Sequence, residues 1–266
     1  MTEEQYFADH AEFESERRRL EMLGKLFDDT SRRHLRNAGV CEGWRCLDVG
    51  AGGGSITRWL SAEVGPNGRV IALDLNCRFL RDLDLPNVEV RELDVLKDDI
   101  GVEQFDLVYS RFLLMHVQNR EAALGKIASA VKPGGCLVVQ DGDYSTLRSV
   151  DHHHSDSCVF DDVWRRECEH AIESDWIDVY FGRKLPIAAQ DLALTDLGHE
   201  GTTWVRQGGS LAGKYYVRTI SNTRDVFVGN GIVTDEEWDV QQRALLDPTF
   251  RFVDLTMYTI WGQKPT

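Results

Sequence analysis

The sequence predicts an α/β fold built on a largely parallel sheet. Three observations support this prediction: short apolar runs alternate with helical patterns between residues 40 and 141, a cluster of glycines follows the first apolar run, and the last apolar run alternates with polar residues. Strands that alternate with helices pair in parallel through right-handed crossovers. We therefore expect a ligand site at the carboxyl ends of the strands.

Length, charge and cysteine content limit the classes of protein to which the chain can belong. At 266 residues, 42% of them hydrophobic, the chain is long enough for one elaborated α/β domain or two small domains. Its net charge of −14 would repel a phosphate backbone, which disfavours nucleic acid as a substrate. The six cysteines include no C-x-x-C pair, and the sequence shows neither a signal peptide nor a long apolar run. We therefore expect a cytoplasmic protein with reduced thiols and no membrane association.

Two helices are predicted before the first strand. Apolar residues recur at helical spacing over residues 12–27, and a second helix is expected over residues 31–38 after a break near Thr30. These helices would form an N-terminal cover, with Tyr6 as a candidate aromatic side chain of that cover.

The stretch from residue 45 to 55 predicts a strand, a tight turn and the start of a helix. Its glycines let the backbone approach a bound molecule, and the helix start offers unpaired N–H groups. A dinucleotide fingerprint would need its third glycine at the position of Ser55. The carboxylate of Asp48, two residues before Gly50, would repel a pyrophosphate but favour a cationic α-amino group. This glycine corner, residues 48–55, therefore predicts an amino-acid-like ligand.

The following strands supply further polar side chains at their ends. Residues 70–75 are the second predicted strand, and its Asp74 is placed to accept hydrogen bonds from two ribose hydroxyls. The fourth predicted strand, residues 105–111, ends opposite the glycine corner, so Ser110 and Arg111 are expected to border the ligand. The pattern indicates a nucleoside that carries an amino-acid part.

This series of motifs resembles the class I S-adenosylmethionine (SAM)-dependent methyltransferases, in particular the small-molecule, ubiquinone/menaquinone-methyltransferase-like members. Residues 48–54 match their motif I, (D/E)-x-G-x-G-x-G, and the Lys-Pro-Gly-Gly turn at residues 132–135 is a further shared trait. The resemblance is strong over residues 40–141. It implies a Rossmann-like, seven-stranded, mostly parallel sheet with helices on both faces and an antiparallel last strand at residues 257–262.

The resemblance also implies SAM as the cofactor. Asp94 lies where the family holds the exocyclic amine of adenine, and Val95 lies where it contacts the ring. The implied cofactor-binding residues are Asp48, Gly50, Ala51, Gly52, Ser55, Asp74, Leu75, Asn76, Asp94, Val95, Ser110 and Arg111. No metal is implied, and the three histidines at residues 152–154 are assigned to a solvated loop because adjacent side chains seldom converge on one ion.

The sequence is divided into four consecutive segments. They are a helical lid (1–40), a SAM-binding Rossmann-like core (41–144), a helical insertion that forms the substrate pocket (145–190) and a segment that completes the sheet (191–266). Residues 180–186 and 196–198 resemble the insertion and the penultimate helix of small-molecule methyltransferases. An amphipathic helix is predicted over residues 158–178.

Candidate catalytic and substrate-binding residues follow from the predicted chemistry. Methyl transfer from a sulfonium requires alignment and a water-poor cavity, and it requires a base only when the acceptor is a hydroxyl. The candidate bases are His116, Asp143 and Tyr144, beside the ends of the fourth and fifth strands, and the first two are assigned as catalytic. Tyr6, Tyr144 and Trp176 are the candidate substrate-binding aromatics.

The leading hypothesis is methyl transfer to an oxygen or nitrogen of a small, aromatic or polyketide-like molecule in specialised metabolism. A second hypothesis is a protein of the same fold that binds SAM for another purpose, such as a cyclisation or the regulation of a partner. A nicotinamide oxidoreductase is disfavoured by Ser55 and Asp48, and nucleic-acid methylation would have to overcome the net charge. A homodimer is left open.

Overall fold

A computed structural model describes the backbone of residues 3–266 and the side chains of residues 12–266. Its main sheet has seven strands: β1 (Arg45–Val49), β2 (Arg69–Asp74), β3 (Val88–Glu92), β4 (Phe105–Arg111), β5 (Val131–Asp143), β7 (Thr195–Thr202) and β10 (Thr256–Gln263). They lie in the order β3-β2-β1-β4-β5-β10-β7. β10 pairs antiparallel with β5 and β7, and the other pairings within this sheet are parallel. The predicted fold class is confirmed, including the antiparallel last strand.

The other described elements are eight helices and a small three-stranded sheet. The helices are α1 (Glu3–Asn37), α2 (Ser55–Val64), α3 (Arg120–Ser129), α4 (Ser157–Glu173), α5 (Phe181–Ala188), α6 (Leu211–Ser221), α7 (Arg224–Phe227) and α8 (Asp235–Leu246). The small sheet pairs β9 (Arg251–Val253) with β6 (Arg148–Ser149) and β8 (Val205–Gln207). No described helix combines the length and the apolar composition needed to cross a membrane.

Side chains on the two faces of the main sheet pack against different helices. One face contributes Leu47, Val49 and Val108 to a core shared with α3 and α5. The other face contributes Leu107 and Tyr109 to a core shared with α2 and the end of α1. Because both faces are covered, consecutive apolar residues such as Leu107, Val108 and Tyr109 of β4 are buried.

The chain divides into two compact units. The sheet unit consists of residues 29–146, 168–204 and 255–266 and holds the seven-stranded sheet. The second unit consists of residues 1–28, 147–167 and 205–254 and holds the small sheet with α6, α7 and α8. This division differs from the four consecutive segments expected from the sequence, and the roles assigned to those segments stay predictions.

The structure corrects three local predictions. Helix α1 continues through the expected break near Thr30, and the hydroxyl of Ser31 within it donates to Gln140 Oε1 of β5 at 2.6 Å. Residues 196–198 lie in β7 and not in a helix, since β7 pairs with β10. A Cβ at Gly198 would lie 2.4 Å from the ring of Trp261, so only glycine allows this pairing. The amphipathic helix predicted to reach residue 178 ends at Glu173.

Glu167 on α4 and Gln241 on α8 form a buried polar pair in the second unit. The Gln241 amide donates to Glu167 Oε2 at 2.7 Å. Glu167 Oε1 and Gln241 Oε1 have no hydrogen-bond partner among the described residues. Burial raises the pKa of Glu167 to about 8, because a charged carboxylate is poorly solvated in this position. The hydrogen bonding of this pair is therefore most complete when the carboxyl group of Glu167 is protonated.

We expect Glu167→Gln to stabilise the protein at high pH and to leave it nearly unchanged at low pH. An unfolded glutamate ionises near pH ~4, so the wild type loses stability as the pH rises from there to the folded pKa of Glu167. Glutamine cannot ionise, and its amide can donate to Gln241 Oε1. Urea unfolding at pH 5 and pH 9 should show the variant gaining on the order of 1–3 kcal/mol at the higher pH.

Glu237→Gln is the matched control for this prediction. Hydrogen bonding from Arg166 lowers the pKa of Glu237, so this carboxylate is ionised at both pH values. Its substitution should therefore change the free energy of unfolding equally at pH 5 and pH 9. A Glu167→Gln variant that behaves in the same way would contradict the proposed protonation of Glu167.

Candidate functional site

A pocket opens at the carboxyl ends of the central strands of the sheet unit. Its volume is about 420 Å³ when the open solvent at its mouth is included. The residues that line it are Gly50, Leu73, Asp74, Leu75, Leu93, Asp94, Val95, Leu113 and Val117. From β1 the chain continues to β2, which pairs with one edge of β1, while β4 pairs with its other edge. The strand order therefore reverses beside β1, and the pocket lies at this topological switch point.

The glycine corner brings backbone against neighbouring side chains. Gly50 has φ +74, and a Cβ there would lie 3.2 Å from Leu113 Cβ. Gly54 has φ +71 and precedes α2, and a Cβ there would lie 2.9 Å from carbons of Leu80 and Leu83. A side chain at either position would be both strained and crowded. The glycine pattern is therefore explained by close packing around the turn.

Asp74 joins the end of β2 to the glycine corner. Its Oδ2 accepts a hydrogen bond from the backbone N–H of Gly52 at 2.8 Å, and its Oδ1 accepts one from the N–H of Asn76 at 3.0 Å. Each carboxylate oxygen keeps a lone pair for a further donor. The arrangement leaves a fixed acceptor on the pocket wall, as expected for a residue that binds hydroxyl groups.

Asp94 lies at the far end of the pocket, between two apolar lining residues, Leu93 and Val95. Its Oδ1 accepts from the N–H of Leu96 at 2.9 Å, and its Oδ2 lies 2.8 Å from Lys97 Nζ. Hydrogen bonding from Lys97, and then from the Leu96 N–H, lowers the pKa of Asp94. Asp94 is therefore an ionised acceptor beside an apolar wall.

Several predicted cofactor residues shape the corner without lining the pocket. Asp48 is buried, and its Oδ2 accepts a hydrogen bond from the hydroxyl of Thr57 on α2 at 2.6 Å. Ala51 and Gly52 lie in the turn, Ser55 begins α2, and Asn76 accepts from the N–H of Arg78. The assignment of Asp48 to a cationic amino group stays a prediction.

Ser110 and Arg111 end β4 but have different surroundings. Ser110 is fully buried between Val49 and Val139 of the adjacent strands, and its Oγ has no hydrogen-bond partner among the described residues. Arg111 Nη1 donates to the hydroxyl of Ser31 on α1 at 2.9 Å. Buried hydroxyls without a partner are uncommon, and Ser110 does not line the pocket.

The two residues assigned as catalytic also have different surroundings. His116 is exposed at the end of a short 3-10 turn, Leu114–His116. Asp143 is buried, and Arg183 donates to both of its oxygens, from Nε at 2.5 Å and from Nη2 at 2.8 Å. The hydroxyl of Ser145 donates to the same carboxylate at 2.7 Å. Asp143 is therefore largely occupied by local hydrogen bonds.

Two of the three candidate substrate-binding aromatics, Tyr144 and Trp176, lie within the described side chains. Tyr144 and Phe112 both lie against Gly142, where a Cβ would be 2.8 Å from one ring and 3.2 Å from the other. Trp176 is 49% exposed. The side chain of Tyr6 lies outside the described residues. The described side chains contain no group of three or more histidines, cysteines and carboxylates that could hold a metal ion.

Four lining residues were not predicted from the sequence. Leu73 and Leu93 precede the two acidic residues of the pocket, and Leu113 and Val117 flank the 3-10 turn after β4. The apolar run after the fourth strand was visible in the sequence. Nothing in its local pattern indicated that two of its side chains would face Gly50 and Asp74.

Comparisons with known proteins agree with this geometry. A family model described as a methyltransferase domain matches residues 47–139. The ubiquinone/menaquinone biosynthesis C-methyltransferase UbiE of Pseudomonas savastanoi pv. phaseolicola is 39% identical over 110 residues, which are 38% of this chain and 43% of that protein. The chain thus spans less than half the length of the curated relatives it matches first.

Solved structures share the fold at low sequence identity. Phosphoethanolamine N-methyltransferase 2 of Haemonchus contortus, in complex with S-adenosylhomocysteine, aligns with a TM-score of 0.54 and 17% identity over 90% of this chain and 53% of that one. A geranyl diphosphate methyltransferase in complex with SAM aligns with a TM-score of 0.52 and 15% identity over 94% and 90% of the two chains. Residues 47–139 thus match a methyltransferase domain, and the solved methyltransferase structures share the fold of this chain.

Proposed function

We propose that this protein is a SAM-dependent methyltransferase that acts on a small molecule. The observation that carries the proposal is the pocket between the glycine corner and the ends of β2 and β3, where two acidic residues stand among apolar walls. A nucleoside needs the same combination, namely acceptors for its hydroxyls and amine and apolar contacts for its base. The matched methyltransferase domain, residues 47–139, covers this pocket.

The residues present fit the cofactor. Asp74 would accept hydrogen bonds from the ribose hydroxyls, and Asp94 would accept one from the adenine amine. Leu93, Val95 and Leu113 would contact the base. Gly50 has no side chain between the corner and the pocket, and Ser110 stays a predicted contact of the polar amino-acid part. We propose these residues as the cofactor site.

The chain's own contribution to methyl transfer is alignment and the exclusion of water. When bound, SAM supplies an electrophilic methyl group on a sulfonium. The apolar side chains of Leu113 and Val117 close one wall of the pocket, and the rigid Asp74 orients the nucleoside. Such fixed placement can supply much of the rate enhancement of a displacement reaction.

We propose an oxygen or nitrogen of an aromatic or polyketide-like molecule of specialised metabolism as the methyl acceptor. Phe112 and Tyr144 support an aromatic acceptor, because both rings lie beside Gly142 near the end of β5. A carbon acceptor is the second candidate, because the curated relatives are named C-methyltransferases. Cyclisation or partner regulation remains the alternative outside methyl transfer. We place the protein in the cytoplasm, since all six cysteines are free.

Gly50→Ala should weaken the binding of SAM and of S-adenosylhomocysteine by about tenfold or more, because the new Cβ combines a left-handed backbone with crowding against Leu113. Gly43→Ala is the matched control, since Gly43 has a similar φ of +84 but nothing within 4 Å of the added Cβ. Calorimetry should show the control binding within about twofold of the wild type. Wild-type protein that binds neither compound would end the proposal.

A turnover assay should release S-adenosylhomocysteine in proportion to a methylated product. Phenols, amines and quinols offered as acceptors, with mass spectrometry and NMR of the product, would identify the methylated atom. Release with the phenol or amine alone supports the oxygen or nitrogen acceptor, and release with the quinol and a new carbon-bound methyl supports the second candidate. A converted substrate without any S-adenosylhomocysteine would instead support the cyclisation alternative.

We propose His116, and not Asp143, as the base when the acceptor is a hydroxyl, because the carboxylate of Asp143 is already held by Arg183 and Ser145. His116→Gln should lower kcat by about 10²-fold and remove the acidic limb of the pH–rate profile. Asp143→Asn should retain most of kcat and lower the free energy of unfolding by about 1–3 kcal/mol. The reverse pattern would return Asp143 to the role of base.

A further inference from the structure

One wall of the pocket is a short segment that has little structure of its own. Leu113 and Val117 line the pocket and flank the single 3-10 turn, Leu114–His116, between β4 and α3. One such turn satisfies few of its own N–H groups. The position of this wall, the 113–117 segment, therefore depends on groups outside it.

The carboxylate of Asp141 on β5 is one of these outside groups. It is fully buried near the end of β5, and its Oδ2 accepts a hydrogen bond from the backbone N–H of Met115 at 3.0 Å. The N–H of Leu114 also bonds to this carboxylate, and the N–H of Gly142 donates to Oδ1 at 3.0 Å. The first two free N–H groups of the turn are thus held by one side chain, as at the start of a capped helix.

The segment before α5 holds the same turn from the other side. The N–H of Asp178 donates to the carbonyl of Met115 at 2.9 Å. Gly182 lies so close to β5 that a Cβ would be 2.6 Å from the carbonyl oxygen of Asp141. Met115 therefore has both of its backbone groups fixed, one by the side chain of Asp141 and one by the backbone of Asp178.

Packing alone does not account for a carboxyl group at this position. The surrounding core is apolar and includes Leu114, Met115, Val139 and Phe181. Burial raises the pKa of Asp141 to about 7, which means that ionising it there is costly. An apolar side chain would fill the space without that cost but would leave the N–H groups of the turn unsatisfied.

We propose that Asp141 is a positioning residue of the cofactor pocket, which holds the 113–117 segment so that Leu113 and Val117 form the wall against Gly50. The role rests on the proposed function, because it is the cofactor that this wall would contact. Asp141 acts through the turn and does not line the pocket. Replacing Asp141 should therefore weaken the binding of every ligand that contacts this wall, whatever the charge of that ligand.

Asp141→Ala and Asp141→Asn, with Gln140→Ala as the control, test this role. Gln140 is the next residue of β5 and is equally buried, but it bonds to Ser31 and Thr259 and not to the turn. Calorimetry should show that Asp141→Ala weakens the binding of both SAM and S-adenosylhomocysteine by about tenfold. Asp141→Asn keeps one acceptor oxygen and should weaken their binding by about threefold. Gln140→Ala should lower stability toward urea while both dissociation constants stay within about twofold of the wild type.

Hydrogen exchange in the absence of ligand gives an independent measurement. The amides of Leu114 and Met115 should exchange about tenfold faster in Asp141→Ala than in the wild type, and at the wild-type rate in Gln140→Ala. Unchanged exchange or unchanged dissociation constants would overturn the positioning role. Weaker binding of SAM with unchanged binding of S-adenosylhomocysteine would also overturn the positioning role. That pattern would indicate that Asp141 attracts the positive charge of the sulfonium.

The test separates this inference from the proposed function. If the wild type binds neither compound, the proposed function fails, and with it the role of Asp141 at a cofactor site. The exchange rates would still decide whether Asp141 holds the turn. If the wild type binds and the Asp141 variants bind equally well, the proposed function stands and the positioning role alone is rejected.

Discussion

The absence of a side chain at Gly50 is the constraint on which the pocket depends. The chain must turn sharply between β1 and α2, and at this turn it passes within van der Waals distance of Leu113 from the neighbouring crossover. A Cβ at Gly50 would lie 3.2 Å from Leu113 Cβ, so the side chain that lines the opposite wall would have to move. The same corner is joined to the end of β2, because the N–H of Gly52 donates to Asp74.

Features encoded over a few neighbouring residues could be predicted from the sequence. The alternation of strands and helices, the glycine corner, and the acids Asp74 and Asp94 depend on local periodicity and on residue types that suit strand ends. Five predicted cofactor residues, namely Gly50, Asp74, Leu75, Asp94 and Val95, line the pocket. Their roles in binding a cofactor stay predictions.

Features that depend on distant partners could not be predicted in this way. Helix α1 passes the expected break near Thr30, and its Ser31 bonds to Gln140, 109 residues away in the sequence. Asp143 looked like an available carboxylate until the structure paired it with Arg183, 40 residues further along the chain. The wall formed by Leu113 and Val117 depends in the same way on Asp141, so its residues resembled ordinary core positions.

The two backbone hydrogen bonds of Asp74 affect how selective the site can be. Because Gly52 and Asn76 hold both oxygens, the side chain has almost no rotational freedom left to lose when a sugar arrives. The same immobility prevents it from adapting to a sugar that lacks a hydroxyl, and an ionised oxygen would then be desolvated without compensation. In the role proposed for Asp74, a preorganised carboxylate of this kind would discriminate ribose from deoxyribose through the penalty for the wrong sugar.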